Sequence, residues 1–180
     1  MEILIDFFIL ALVYVGVYQK KLKKRETLTI CKFTVFYIYI AMVFYVTIIP
    51  FEISIISHTD SLMEHIHTIP FADLRANRTG AMRECLLNVV MMMPFGFLLG
   101  WMKRNSNVIS IALSTLLFSA CIEIIQLYYC LQGALHSRSC DVTDLVTNTL
   151  GGIFGYLIYR LIKSLVKSLF KVKSRKGPNS

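Results

Sequence analysis

Five stretches of this sequence are long enough, and free enough of charge, to cross the hydrocarbon core of a bilayer. A spanning helix needs roughly 20 predominantly apolar residues, with a range of about 17–25. Residues 33–51 and 85–102 carry no charge. Residues 105–131 carry only Glu123, and residues 145–162 only Arg160, close enough to the end to reach the interface. Residues 3–18 carry only Asp6 and sit at the short end of the range. Charged residues make up 17% of the chain and hydrophobic ones 56%, too little polar surface to cover a soluble core. The net charge of +8 would suit nucleic-acid binding if it were spread over one face, but the cations are gathered between the apolar runs. The expectation is an all-α integral membrane protein of five transmembrane helices, with no nucleic-acid partner.

The basic residues also orient it. Lys20, Lys21, Lys23, Lys24 and Arg25 follow the first apolar run rather than precede it, and Glu2 and Asp6 come first, so the run reads as a retained span and not a cleavable signal. If five spans alternate, fifteen of the 19 Lys and Arg residues fall on one side, and only Arg75, Arg78, Arg83 and Arg138 on the other. By the positive-inside rule the N-terminus lies outside and the C-terminus in the cytoplasm. Residues 1–32 form the first span and a basic cytoplasmic connection, 33–162 the transmembrane core, and 163–180 a basic tail. Arg160, Lys163, Lys167 and Lys171 recur at helical spacing, which points to an amphipathic exit along an anionic leaflet, with a cytoplasmic partner as the alternative. Residues 171–180 read as disordered.

Acidic residues gather at the other end. Glu123 is the deepest, and Ser119, Glu123, Gln126 and Cys130 share one helical face. Arg83, Glu84 and Asn88 sit at the outer end of the third span; Arg138, Asp141, Asp144 and Asn148 lead into the fifth. An ionisable group inside a span is costly, so each needs a polar neighbour or a cavity. Two readings stand side by side. In one, arginines neutralise carboxylates, amides bridge helices, and Asp141 and Asp144 cap the last helix. In the other, the residues line a pocket open to the extracytoplasmic face.

Gly96 and Gly100, and Thr147, Gly151 and Gly155, form small-residue stripes that let helices approach closely, and Pro94 frees the carbonyl of Val90 and should kink its helix. In the connection 52–84, His58, His65 and His67 lack zinc spacing, so it reads as a surface loop with no metal and no cofactor. Cys85, Cys130 and Cys140 lie on the outer side, where a disulfide is permitted.

The block Asn88-Val-Val-Met-Met-Met-Pro94-Phe-Gly96, the pair Glu123 and Gln126, and the run Arg138, Asp141-Val-Thr-Asp144, Asn148-Thr-Leu-Gly151 resemble the signature of the VanZ-like family. Thr47-Ile-Ile-Pro50 and Ile69-Pro70-Phe71 fit weaker family signals; Met92 and His67 depart from the pattern, where Phe and Asn are expected. The resemblance covers about residues 33–160. It implies a small multi-pass protein of the bacterial cell membrane, in a family whose namesake is an accessory determinant of resistance to teicoplanin-type glycopeptides. The expected ligand set is Arg83, Glu84, Asn88, Glu123, Gln126, Arg138, Asp141, Asp144 and Asn148. Its expected partners are membrane lipids, a lipid-linked cell-wall precursor or a lipoglycopeptide, and a second copy of the chain. The alternatives are an enzyme acting on a lipid-linked or peptidoglycan precursor, with Glu123 as acid or base beside an ionised Asp144, and transport through a protonatable Glu123.

Overall fold

The computed structural model of the protein describes residues 2–48, 66–67, 69–103, 105–131 and 140–175. Helix α1 (Glu2–Val17) continues through a π-helical turn (Tyr18–Leu22) into the basic connection, and α2 (Thr27–Ile48) returns antiparallel to it. The two are tied by polar contacts as well as rings: the Tyr37 hydroxyl donates to the carbonyl of Leu10 at 2.5 Å, Tyr14 and Thr34 share a hydrogen bond of 2.7 Å, and the Tyr14 and Tyr37 rings lie 5.3 Å apart. A single turn, α3 (Ala72–Arg75), precedes α4 (Ala81–Met102); α5 (Val108–Leu131) and the 34-residue α6 (Val142–Arg175) follow. Apart from helices and the turns that join them, the described residues form a two-residue parallel bridge, in which β1 (Ile66–His67) pairs with β2 (Cys140–Asp141).

Four of these helices, α2, α4, α5 and α6, are long and apolar enough to cross a membrane. The fifth expected span corresponds to α1, which is 16 residues long and falls short of that measure by itself. Three helices begin before the expected span. Helix α2 takes in Lys32, α4 starts at Ala81, and α6 starts at Val142 behind its cap. The turn between α4 and α5 is longer than expected, because Asn107 accepts a hydrogen bond from the Ser110 amide (2.7 Å) and so starts α5 at Val108. The tail differs too. Residues 171–175, expected to be disordered, are the last turn of α6. Leu, Lys and Arg are good helix formers, and their propensity carries the helix onward despite the mutual repulsion of Lys163, Lys167 and Lys171 at i, i+4 spacing.

The architecture is dominated by one seam. Helices α4 and α6 run parallel and touch backbone to backbone: a Cβ on Gly96 would overlap the carbonyl oxygen of Gly152, and one on Gly155 the carbonyl oxygen of Met93. A Cβ on Gly152 would overlap Thr115 Oγ1, which brings α5 into the same contact. Lipid tails are as apolar as leucine, so burial of apolar surface gives helices no reason to associate; close packing does. The expected small-residue stripes therefore carry the fold. Aromatic packing closes the other side of α4, where the Phe95 and Phe118 rings stack at 4.7 Å within 5° of parallel and Phe36 of α2 leans on Phe95. Pro94 sits inside an unbroken α4. The Tyr39 hydroxyl of α2 donates to the neighbouring Met91 carbonyl at 2.8 Å, so a polar group of the proline-disturbed turn is satisfied by another helix.

A buried carboxylate and amide network and the groove beside it

The leading ends of α4 and α6 and the trailing end of α5 meet at one level. Their polar residues meet there. Asn88 of α4 donates to Asp144 Oδ1 of α6 at 2.7 Å. Asn148, one turn further along α6, donates to Ser119 Oγ of α5 at 2.8 Å, and Asn148 Oδ1 is a buried acceptor with no partner among the described residues. Gln126 donates to the carbonyl of Thr47 on α2 at 3.0 Å. Glu123 Oε2 accepts from the backbone amide of Asp141 at 3.3 Å, and Asp141 Oδ1 in turn accepts from the Thr143 amide at 2.7 Å, which makes Asp141 the cap of α6. Glu123, Asp141 and Asp144 each have further interactions beyond these.

The inner part of this cluster is buried. Glu123 is 3% exposed, Gln126 5% and Asn148 2%, with Ser119, Thr115, Thr143 and Thr147 buried around them. Alongside the expectation of a polar pocket, the described residues show a network in which amides and backbone groups of four elements pair with carboxylates and hydroxyls, with Asn88, Asp141 and Asp144 only half-buried. The reason is the glycine seam. It draws α6 so close to α4 and α5 that polar side chains at 88, 119, 144 and 148 reach across and pair.

The loop ahead of α4 folds onto the same site. The amide of Phe71, held at φ 59°, donates to Thr143 Oγ1 at 2.9 Å. A left-handed conformation costs a non-glycine residue about 1–2 kcal/mol, so this contact with α6 helps fix a shape the chain would otherwise avoid. The β1–β2 bridge pins residues 66 and 67 beside the cap of α6. The described part of the loop touches the network at Thr143, and Thr143 and Thr47 are polar members that sequence spacing alone did not single out as ligands. Thr47 and Phe71 did stand within the weaker family signals.

Glu84 and Arg83 are not part of the network. Glu84 pairs with Arg78, which also holds Asp73 at 2.6 Å; Glu84 first and Asp73 second raise the Arg78 guanidinium pKa above its ordinary value. Asn77 and Gly80, at φ 52° and 93°, make the tight turn that brings Arg78 back onto the first turn of α4. Arg83 is exposed and has no ion-pair partner among the described residues. It lies at a groove of about 690 Å³ whose wall is apolar, with Leu74, Met82, Leu86, Leu87 and Val90, and whose rim is Asn77 and Arg78. Arg138, His58, His65 and the side chains of Cys130 and Cys140 lie outside the described residues, as does most of the connection expected to form a surface loop. Among the described residues no cluster of His, Cys, Asp or Glu has the form of a metal site.

No solved structure matches the chain. It is 28% identical over 124 residues to Protein VanZ of Enterococcus faecium, an alignment that covers 69% of this chain and 70% of that protein. The VanZ/LLP1 family model matches residues 36–163, a stretch that holds α4, α5, the network and the spanning part of α6. An integral membrane protein of several helices, the chain belongs to the VanZ/LLP1 family.

Proposed function

We propose that this protein is a non-enzymatic component of the bacterial cell membrane that binds an amphiphile with an anionic headgroup at its extracytoplasmic side. The observation that carries the proposal is Arg83. A cation without an ion-pair partner among the described residues stands at the rim of an apolar-walled groove of about 690 Å³, on the same helix whose other face is anchored in the network through Asn88. An acyl chain fits the wall formed by Leu86, Leu87 and Val90, and a phosphate or carboxylate fits the guanidinium. The network makes the groove rigid, since it fixes α4 against α5 and α6. The headgroup reading thereby moves from Glu123 and Asp144 to the neighbouring face of α4.

The orientation follows the charge distribution. Five spans, counting α1, put the N-terminus outside, the C-terminus in the cytoplasm, and the groove in the outer leaflet. A lipid-linked cell-wall headgroup or the fatty chain of a teicoplanin-type lipoglycopeptide is then within reach, and occupying either one lowers drug access at the membrane. Burial of Glu123 at 3% exposure weighs against the enzyme reading, because a substrate would have to displace packed side chains to reach its carboxylate.

The test is teicoplanin susceptibility of cells expressing matched levels of wild-type protein, Arg83→Glu and Leu87→Trp. Both variants alter surface groups and leave the network intact. Loss of tolerance in both supports the groove; wild-type tolerance in Arg83→Glu sinks it.

A further inference from the structure

A second concave surface lies at the opposite end of the helices. It has a volume of about 430 Å³ and is formed between the turn that starts α5 and the second half of α6. Arg160, Lys163 and Lys167 face it, on one stripe of α6 by their i, i+3 and i+7 spacing. All three are exposed, and none has an acidic partner among the described residues. Three like charges on two helical turns repel one another, which is tolerable only in water or against an anion.

The remaining walls are what an oxyanion needs. Ser106, Asn107 and Ser164 supply polar side chains. Asn107 already spends its oxygen as the cap of α5, accepting from the Ser110 amide, so its NH2 group remains as donor. The walls are held at fixed separation, because the buried Tyr156 donates its hydroxyl to the carbonyl of Ser106 at 2.5 Å. Tyr159 backs the site, with the Lys163 ammonium 5.5 Å from its ring centroid. Leu157 and Leu161 are exposed on the stripe of α6 adjoining Arg160 and Ser164, and offer an apolar track that leads out of the cleft.

We propose that this cleft is a discrete binding site for the phosphate of an anionic phospholipid, one lipid per chain, with the headgroup among Arg160, Lys163 and Asn107 and an acyl chain along Leu157 and Leu161. The apolar track selects a lipid over free phosphate, and the preformed walls distinguish a site from the general attraction of a basic helix for an anionic leaflet.

The experiment is native mass spectrometry of the full-length protein released from detergent, titrated with phosphatidylglycerol, with phosphatidylcholine, and with phosphatidylglycerol in the presence of excess inorganic phosphate. Wild type is expected to carry one phosphatidylglycerol with about tenfold preference over phosphatidylcholine, and Arg160→Gln with Lys163→Gln to lose that preference. Lys171→Gln, on the same stripe beyond the cleft, is expected to keep it within about twofold. Asn107→Asp retains a capping oxygen while placing a negative charge in the cleft, so it should weaken phosphatidylglycerol binding with the thermal midpoint unchanged, and it serves if the double variant is unstable. Equal binding of the two lipids, an effect of Lys171→Gln as large as that of the double variant, or displacement by inorganic phosphate each overturns the proposal.

Discussion

Asn88 Nδ2 lies 2.7 Å from Asp144 Oδ1, and this hydrogen bond joins two parallel helices at the end where each enters the bundle. Hydrogen bonds to a charged group contribute about 1.5–3 kcal/mol in water-soluble proteins, whereas interhelical polar pairs in membranes average about 0.6 and reach about 1.7. The membrane range governs here, because the unfolded helices still sit in lipid and find other partners. Asn88→Leu is therefore expected to lower stability by about 1 kcal/mol, read as a shift in the midpoint of detergent-induced unfolding.

The glycine seam predicts a sharper response. Gly155→Val forces side-chain carbons into the Met93 carbonyl and should separate α4 from α6 at a cost of about 3 kcal/mol or more, enough to prevent folding. Gly16 is the control, since a Cβ there meets nothing within 4 Å. Gly16→Ala should be neutral or stabilising by up to about 1 kcal/mol through helix propensity. Folded yield by size-exclusion chromatography in detergent distinguishes the two, and equal behaviour would refute the backbone contact.

Asp141 separates a structural from an electrostatic role. As a cap it needs only an oxygen, so Asp141→Asn should match wild type in stability, while Asp141→Ala should lose about 1 kcal/mol. If Asn proves as damaging as Ala in thermal unfolding, the negative charge itself is what the site requires.

Topology is open to direct measurement. With the native cysteines replaced, Glu2→Cys should react with a membrane-impermeant maleimide in intact cells, and Lys103→Cys only after permeabilisation. The reverse pattern would invert the bilayer assignment, and labelling of both in intact cells would remove α1 from the count of spans.

Much of this arrangement can be read from spacing alone. The intervals between Ser119, Glu123 and Gln126, and between Asp144, Asn148 and Gly151, fix which residues share a helical face, because 3.6 residues per turn leaves no choice. The close approach of α4 and α6 is equally legible in Gly96, Gly151 and Gly155. What spacing leaves undetermined is whether a polar face opens to water or closes on another helix. Asn88, Asp144 and Glu123 have the same pattern in either case, and the pairing of Asn88 with Asp144 follows from the helix separation that the glycines impose. Glu84 shows a second gap. Its position one turn before Asn88 suggests a shared role, yet Arg78 captures it across a turn whose left-handed residues, Asn77 and Gly80, have no periodic signature. Phe71 donating to Thr143 is likewise a contact between distant segments, visible only once the loop is folded over α6.

Helix α6 is unbroken over 34 residues, a length of about 51 Å against a hydrocarbon core of about 30 Å. Asp144 near its start and Lys163 beyond its midpoint therefore belong to a single stiff rod, pivoted where Gly152 and Gly155 rest on α4. A rod on a pivot behaves as a lever. Any tilt that a ligand imposes on the Asp144 end must swing the far end the opposite way, so whatever grips the cationic half of α6 also sets how freely the Asp144 half can move.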